Sequence, residues 1–285
     1  MNIILAKHYG MCFGVRDALK ATKAAAKSGP TTILGQLVHN EVVTEQLNKL
    51  GVQRGNLRNL DSAETPQVVI TAHGAADRDR SAWKELGFQV TDTTCPLVKK
   101  AHHALAQLVL EGYHPVVIGK DSHVEVLGLT GDFPDAEVVL SEADIDNLSL
   151  REKFGVVSQT TQPTALVTRL VDYLRTRFPD SEVKYTDTVC QPTKDRQSAL
   201  RELCQQVDVV IAVGGSNSNN THQLVTSAQS FGVRAYRVGT AQELRDEWFE
   251  GVETVGVTAG TSTLHETVQE VYEALRARED SLACA

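Results

Sequence analysis

The sequence predicts an α/β protein made of three similar small parallel-sheet units. Three observations carry that reading. Cys12, Cys95 and Cys190 divide the 285-residue chain into similar lengths, 83 and 95 residues apart by subtraction. Each cysteine precedes an amphipathic stretch of helical period, and each stretch leads into a short β-branched run. A polar loop then follows at His39, His123 and Asn220, which is 27, 28 and 30 residues after its cysteine, and a second at His73, Thr161 and Ser262, 61, 66 and 72 residues after it. A repeat at this period means one supersecondary unit used three times.

The elements follow in order. Val15, Ala18, Leu19, Thr22 and Ala25 fall at helical spacing, and Gly29-Pro30 stops that helix. Leu97, Ala101, Ala104, Leu105 and Leu108 repeat the pattern, with Gly112 as the stop, and Ala199, Leu200, Leu203, Cys204 and Val207 give the third. The runs 31–34, 115–118 and 209–213 read as strands, as do 68–71, 155–157 and 255–258. Continuous apolar runs of this kind are buried parallel strands, and helix-to-strand alternation requires parallel sheets. Stretches 61–66, 144–149 and 240–246 read as surface connections or helix starts. The units are placed at 13–95, 96–189 and 190–278, with 1–12 packed on the third and 279–285 as a flexible tail. In a pseudo-threefold, trefoil arrangement the three thiolates and six polar loops converge at the centre.

Composition narrows the function. The formal charge is -8, with no basic block or basic-aromatic interleaving, so nucleic acid is not expected as a partner. The start lacks a cationic lead and a signal-length apolar core, and no run reaches membrane-spanning length. A soluble cytoplasmic protein is expected. Five cysteines without a closely spaced pair favour metal binding or catalysis over disulfides in a reducing compartment.

Each of the three repeated cysteines lies just before a helix, with Pro96 and Pro192 suited to a first turn. A helix N-terminus stabilises a thiolate. Three isolated cysteines suit a cuboidal iron–sulfur cluster with one iron open to substrate, whereas structural zinc normally shows close ligand pairs. Any one of these cysteines alone reads as a buried structural residue; the threefold placement reverses that. Cys204, mid-helix on an apolar face, and Cys284, in the tail, are excluded as ligands.

The polar loops hold His39, Asn40, His73, Ser122, His123, Glu125, Thr160, Thr161, Ser218, Asn219, Asn220 and Ser262, and no Lys or Arg. Most follow strand-like runs, so they fall at the carboxyl ends of strands, where open α/β sheets bind ligands. Such a set can wrap a diphosphate. Glu125 is the one carboxylate placed firmly there and is the candidate proton donor, with Glu41 weaker. His8, His102, His103, His114, His222 and His265 read as ordinary surface or core residues.

Nine motifs stand in order: Gly10-Met11-Cys12-Phe13-Gly14-Val15, Val38-His39-Asn40, Ala72-His73-Gly74, Thr94-Cys95-Pro96-Leu97-Val98, His123-x-Glu125, Gln159-Thr160-Thr161, Cys190-x-x-Thr193-x-x-Arg196-Gln197, Asn217-Ser218-x-Asn220 and Thr258-Ala259-Gly260-x-Ser262. Together they resemble the 4-hydroxy-3-methylbut-2-enyl diphosphate reductase family over about residues 3–275. The resemblance implies a three-lobed fold around a [4Fe–4S] cluster held by Cys12, Cys95 and Cys190. It implies a two-electron dehydroxylation of the allylic diphosphate to isopentenyl and dimethylallyl diphosphates, with ferredoxin or flavodoxin as electron donor. His39, His73, His123, Ser218, Asn220 and Ser262, with Thr160 and Asn219 beside them, would bind the diphosphate. Thr161 would contact the substrate hydroxyl, and Glu125 would supply protons. Three loops depart from the family pattern, at Val124, at Asn219 and at Thr263-Leu264. They leave open a paralogue or a quinolinate-synthase-like cluster enzyme acting on another anion. A non-catalytic cluster or zinc protein is the remaining class.

Overall fold

The first strand of the chain belongs to the last sheet. In the computed structural model, which describes residues 1–38 and 40–283, β1 (Asn2–Leu5) pairs in parallel with β12 (Thr254–Ala259), Ile3 facing Val255. With β10 (Val209–Val213) and β11 (Arg234–Val238) they form a sheet of order β11-β10-β12-β1. β2 (Thr31–Leu34), β3 (Gln53–Gly55), β4 (Gln67–Ile70) and β5 (Gln89–Asp92) form another, of order β3-β2-β4-β5. β6 (His114–Ile118), β7 (Glu137–Val139), β8 (Lys153–Ser158) and β9 (Glu182–Tyr185) form the third, of order β7-β6-β8-β9. All pairings between these strands are parallel. The order is the same in each sheet, with β1 standing where β5 and β9 stand in the other two. The expected α/β class with three small parallel sheets is what is observed, each sheet having four strands.

Helices connect the strands: α1 (Phe13–Ser28), α2 (Glu41–Lys49), α3 (Asp77–Glu85), α4 (Pro96–Leu110), α5 (Val124–Thr130), α6 (Glu142–Asp146), α7 (Thr164–Arg177), α8 (Gln191–Cys204), α9 (Asn219–Ser230) and α10 (His265–Ala283). Alternation within each buried strand decides which helix it meets. Val116, Ile118, Phe154 and Val156 pack on Leu170 and Leu174 of α7. Val117 and Val157 turn to Leu105 and Leu108 of α4 and Val126 and Leu129 of α5. In the last sheet, Val209, Ile211, Val255 and Val257 meet Val268, Val271 and Leu275 of α10. Val210 and Ala212 meet Leu200 and Leu203 of α8 and Leu224 of α9. Coverage of both faces explains why these strands read as unbroken apolar runs, and each fully buried Leu contributes about 1.5–3 kcal/mol of transfer free energy.

By compactness the chain forms two units. Met1–Val15, His39–Glu45 and Gln191–Ala285 make one, containing the β1 sheet; Arg16–Val38 and Gln46–Cys190 make the other, containing the remaining two sheets. Two readings need correction. Cys204 is the last residue of α8, not mid-helix, although it does pack on the apolar cluster of that face. The first half of the 144–149 stretch, 144–146, is the end of α6 rather than a helix start; that start is fixed by a capping box between Ser141 and Asp144. Of the stretch expected as a flexible tail, 279–283 fall within the bounds of α10; Cys284 lies outside the described residues. Among the described residues, no helix is long and apolar enough to cross a membrane.

Candidate functional site

The polar loops do fall at the carboxyl ends of the central strands. The first loop of each repeat opens on a glycine directly after its strand: Gly35 after β2, Gly119 after β6 and Gly214 after β10. At the last two the following helix comes too close for a side chain. A Cβ on Gly119 would lie 2.7 Å from Val126 Cγ2, and one on Gly214 would lie 2.2 Å from Thr221 Oγ1.

Each first loop ends in a helix cap. Asn40 Oδ1 accepts from Val43 N at 3.1 Å before α2, His123 Nδ1 accepts from Glu125 N at 3.1 Å before α5, and Ser218 Oγ accepts from Thr221 N at 3.3 Å before α9. These three caps each stand 28 residues after their cysteine, by subtraction. The equivalence read from sequence, His39 with His123 and Asn220, is therefore corrected to Asn40, His123 and Ser218. An amide, an imidazole and a hydroxyl do one job, and only geometry aligns them. His39 itself lies outside the described residues.

The caps also set hydrogen positions. Because a backbone N–H can only donate, His123 Nδ1 is unprotonated and the ring carries its proton on Nε2. Its ring meets that of His73 edge-on, with centroids 5.6 Å apart. Ser218 Oγ accepts again from Thr221 Oγ1 at 2.9 Å, which leaves its own hydroxyl proton to donate.

Two residues past the cap, the second and third repeats make the same tie. Glu125 Oε1 accepts from Thr160 N at 2.6 Å, and its Oε2 from Thr160 Oγ1 at 3.1 Å. Asn220 Oδ1 accepts from Thr261 N at 3.0 Å. The carbonyls of those loops then hold the cysteines: Cys190 N donates to Thr160 O at 2.9 Å, Cys12 N to Thr261 O at 3.1 Å, and Cys95 N to Ala72 O at 3.1 Å. All three cysteines are half-buried and directly precede a helix, α1, α4 or α8, with Pro96 opening α4 and Pro192 second in α8. N–H-rich helix starts favour thiolates over thiols. The surroundings of each cysteine suit a ligand to an anionic iron–sulfur group.

Glu125 is 2% exposed, and burial pushes its carboxyl up to about 7 against the pull of the two Thr160 bonds. Thr161 Oγ1 accepts from Gln159 Nε2 at 3.1 Å, and the hydroxyl that bonds Glu125 is that of Thr160. Ser262, 6% exposed, gives its carbonyl to Asn40 Nδ2 at 2.7 Å. Asn219 opens α9, half-buried. One compact unit contains Cys12, Asn40, Ser218, Asn219, Asn220 and Ser262; the other contains His73, Cys95, His123, Glu125, Thr160, Thr161 and Cys190. Among the described residues, no group of three or more His, Cys, Asp and Glu side chains is disposed to hold a single metal ion. Of the unusual loop residues, Thr263 is turned inward, its hydroxyl donating to Val213 O at 3.0 Å, so its identity answers to packing. Sequence reading passed over Thr93, Thr188 and Thr221, whose hydroxyls bond to backbone or cap atoms and so leave no motif.

Residues 3–276 match the LytB protein family. This chain belongs to the LytB family. A protein named 4-hydroxy-3-methylbut-2-enyl diphosphate reductase from Aquifex aeolicus is 35% identical over 277 residues, covering 95% of this chain and 94% of its own length. One of the same name from Geotalea uraniireducens is 38% identical, covering 96% of each. The structure is similar to that of the E-1-hydroxy-2-methyl-but-2-enyl-4-diphosphate reductase from Plasmodium falciparum, with a TM-score of 0.90 at 29% identity over 96% of this chain and 87% of that one. It is also similar to a structure of (E)-4-hydroxy-3-methyl-but-2-enyl diphosphate reductase, described as the terminal enzyme of the non-mevalonate pathway. That match has a TM-score of 0.70 at 34% identity, over 97% of this chain and all of that one.

Proposed function

We propose that Cys12, Cys95 and Cys190 hold a [4Fe–4S] cluster with one open iron, and that Glu125 is the proton donor of the reaction. The LytB-family chain is an oxidoreductase of isoprenoid synthesis, a 4-hydroxy-3-methylbut-2-enyl diphosphate reductase. It converts (E)-4-hydroxy-3-methylbut-2-enyl diphosphate to isopentenyl and dimethylallyl diphosphates. Two electrons and two protons enter, the C4–O bond breaks, and water leaves.

The observation that carries the acid assignment is the contrast between Glu125 and Asn220. Both accept from the N–H that precedes a cysteine-holding carbonyl. An amide suffices for that tie in the third repeat, so the carboxyl in the second answers to another demand. Its pKa of about 7 leaves it partly protonated near neutral pH, the condition for a general acid.

When bound, the cluster supplies the electrons and a Lewis-acidic iron for the substrate hydroxyl. The chain's own residues do the rest. His39, His73, His123, Thr160, Ser218, Asn219, Asn220 and Ser262 form the diphosphate subsite. His123 contributes its Nε2–H, Ser218 its hydroxyl proton and Asn220 its Nδ2 hydrogens. Anchoring the remote diphosphate fixes the reacting end. Thr161 donates to the substrate hydroxyl, and Glu125 gives the proton with which water departs. Thr160 spends its N–H and hydroxyl on Glu125 and so aims the acid. The electron donor on this reading is a ferredoxin or flavodoxin, the location is the cytoplasm, and the functional units are 13–95, 96–189 and 190–278.

The test is anaerobic isolation with iron and sulfide analysis, followed by a dithionite-driven assay on the allylic diphosphate. Brown protein that reduces the substrate is expected. Changing Cys12, Cys95 or Cys190 to Ser should abolish the cluster, while Cys204→Ser keeps it. A retained cluster in Cys95→Ser with loss in Cys204→Ser would overturn the ligand set, and an intact cluster without reduction would overturn the substrate.

A further inference from the structure

The three cysteine loops are not secured alike. Two residues before Cys95 and Cys190 stand Thr93 and Thr188, and each bolts its loop to the end of the neighbouring strand. Thr93 Oγ1 donates to Ile70 O at 2.6 Å, and Thr188 Oγ1 to Ser158 O at 2.6 Å. One residue earlier, Asp92 and Asp187 accept from Thr94 N at 2.9 Å and Val189 N at 3.1 Å. Before Cys12 both side-chain restraints are missing: Tyr9 replaces the aspartate and Gly10 the threonine. Gly10 has a φ of 71°, a conformation that a β-branched threonine does not adopt. Its N–H reaches Ala259 O at 3.2 Å, but it has no side chain with which to hold on.

The missing restraint comes from elsewhere. Six residues after Cys12 and Cys95 lie buried alanines, Ala18 and Ala101; six after Cys190 lies Arg196, 6% exposed. Its Nη2 donates to Gly10 O and its Nη1 to Pro192 O at 2.7 Å. A rigid guanidinium fork is suited to spanning two carbonyls, which a lysine ammonium does less well. We infer that Arg196 is the positioning residue of Cys12, a strut that ties the Gly10–Cys12 loop to the first turn of the helix following Cys190 and does for the third repeat what Thr93 and Thr188 do for the others. This rests on the reading of Cys12 as a cluster ligand. The strut acts through backbone carbonyls and would leave Cys95 untouched.

The experiment is site-resolved amide hydrogen exchange on the anaerobically isolated full chain, read alongside the Mössbauer spectrum of its cluster. Arg196→Met keeps bulk and removes the donors, Arg196→Lys keeps the charge, and Thr93→Val is the control for another repeat. Exchange at the Cys12 amide should rise roughly tenfold or more in Arg196→Met, with less change in Arg196→Lys, and the amide at Cys95 should hold its rate. Thr93→Val should give the opposite selectivity. One iron of the cluster should lose its normal signature in Arg196→Met while the others keep theirs. Unchanged exchange at Cys12, or equal acceleration at all three cysteines, would overturn the strut. Retention of the cluster in Cys12→Ser would instead overturn the ligand reading, and the exchange result would still judge the strut. If Arg196→Met fails to fold, Arg196→Lys with exchange as rapid at Cys95 as at Cys12 overturns it equally.

Discussion

Glu125 and Asn220 occupy the same place in two repeats, and the comparison separates what the scaffold needs from what the chemistry needs. Each sits two residues past a helix cap and accepts from the N–H of a threonine, Thr160 or Thr261, whose carbonyl holds a cysteine. A neutral amide performs that service in the third repeat. The second repeat uses a carboxyl buried to 2% exposure and keeps it near its titration point. Burying an ionisable group works against stability, and its presence where an amide serves the fold is what supports the proposed proton-donor role.

That price is measurable and is the largest effect on stability. Burial raises the Glu125 carboxyl from 4.5 to about 7, so the folded state favours the neutral acid. The sign follows: stability is fullest below the unfolded value of about 4.5 and declines as pH rises through about 7, reaching about 3 kcal/mol of loss above it. Glu125→Gln removes the dependence. Denaturant unfolding should show the variant gaining on wild type as pH rises from about 4.5 to about 7, by up to that amount, with no further gain above. A difference that does not vary with pH would mean the carboxyl is not perturbed by burial.

Moving the third repeat toward the second sharpens the contrast. Asn220→Asp keeps an acceptor for Thr261 N but replaces amide donors by a negative charge. Diphosphate affinity should fall by about 1.5–3 kcal/mol while iron and sulfide content holds. Asn220→Ala should weaken both, because the Thr261 tie is lost as well. Unaltered affinity in Asn220→Asp, read by equilibrium binding, would place the diphosphate elsewhere.

The smallest effect concerns the cap between the two chemistries. His123→Asn retains a good helix cap for α5 and deletes the imidazole Nε2–H. Thermal stability should change little, with diphosphate binding weaker by about 1 kcal/mol. A large loss of stability with unchanged binding would reduce His123 to a cap alone.

Much of this was legible in the sequence, and the exceptions have physical causes. The central strands could be read because two-sided burial forces continuous apolar runs, as in 209–213. The edge strand Gln53–Gly55 could not, because its side chains are mostly exposed and polar. The cysteine repeat and Glu125 stood out as residue types with few other uses. The cap equivalence of Asn40, His123 and Ser218 did not, since three different side chains satisfy one helix start. The Arg196 strut escaped because its acceptors are backbone carbonyls, which any residue supplies.

The most direct test of the central claim is the pH dependence of turnover in Glu125→Gln under dithionite, with cluster content measured on the same samples. The expected result is a full cluster, bound substrate and a turnover lower by roughly 10²–10⁴. The wild-type decline above about pH 7 should be absent in the variant. Near wild-type turnover with that alkaline decline intact would contradict the account and assign the proton to another group.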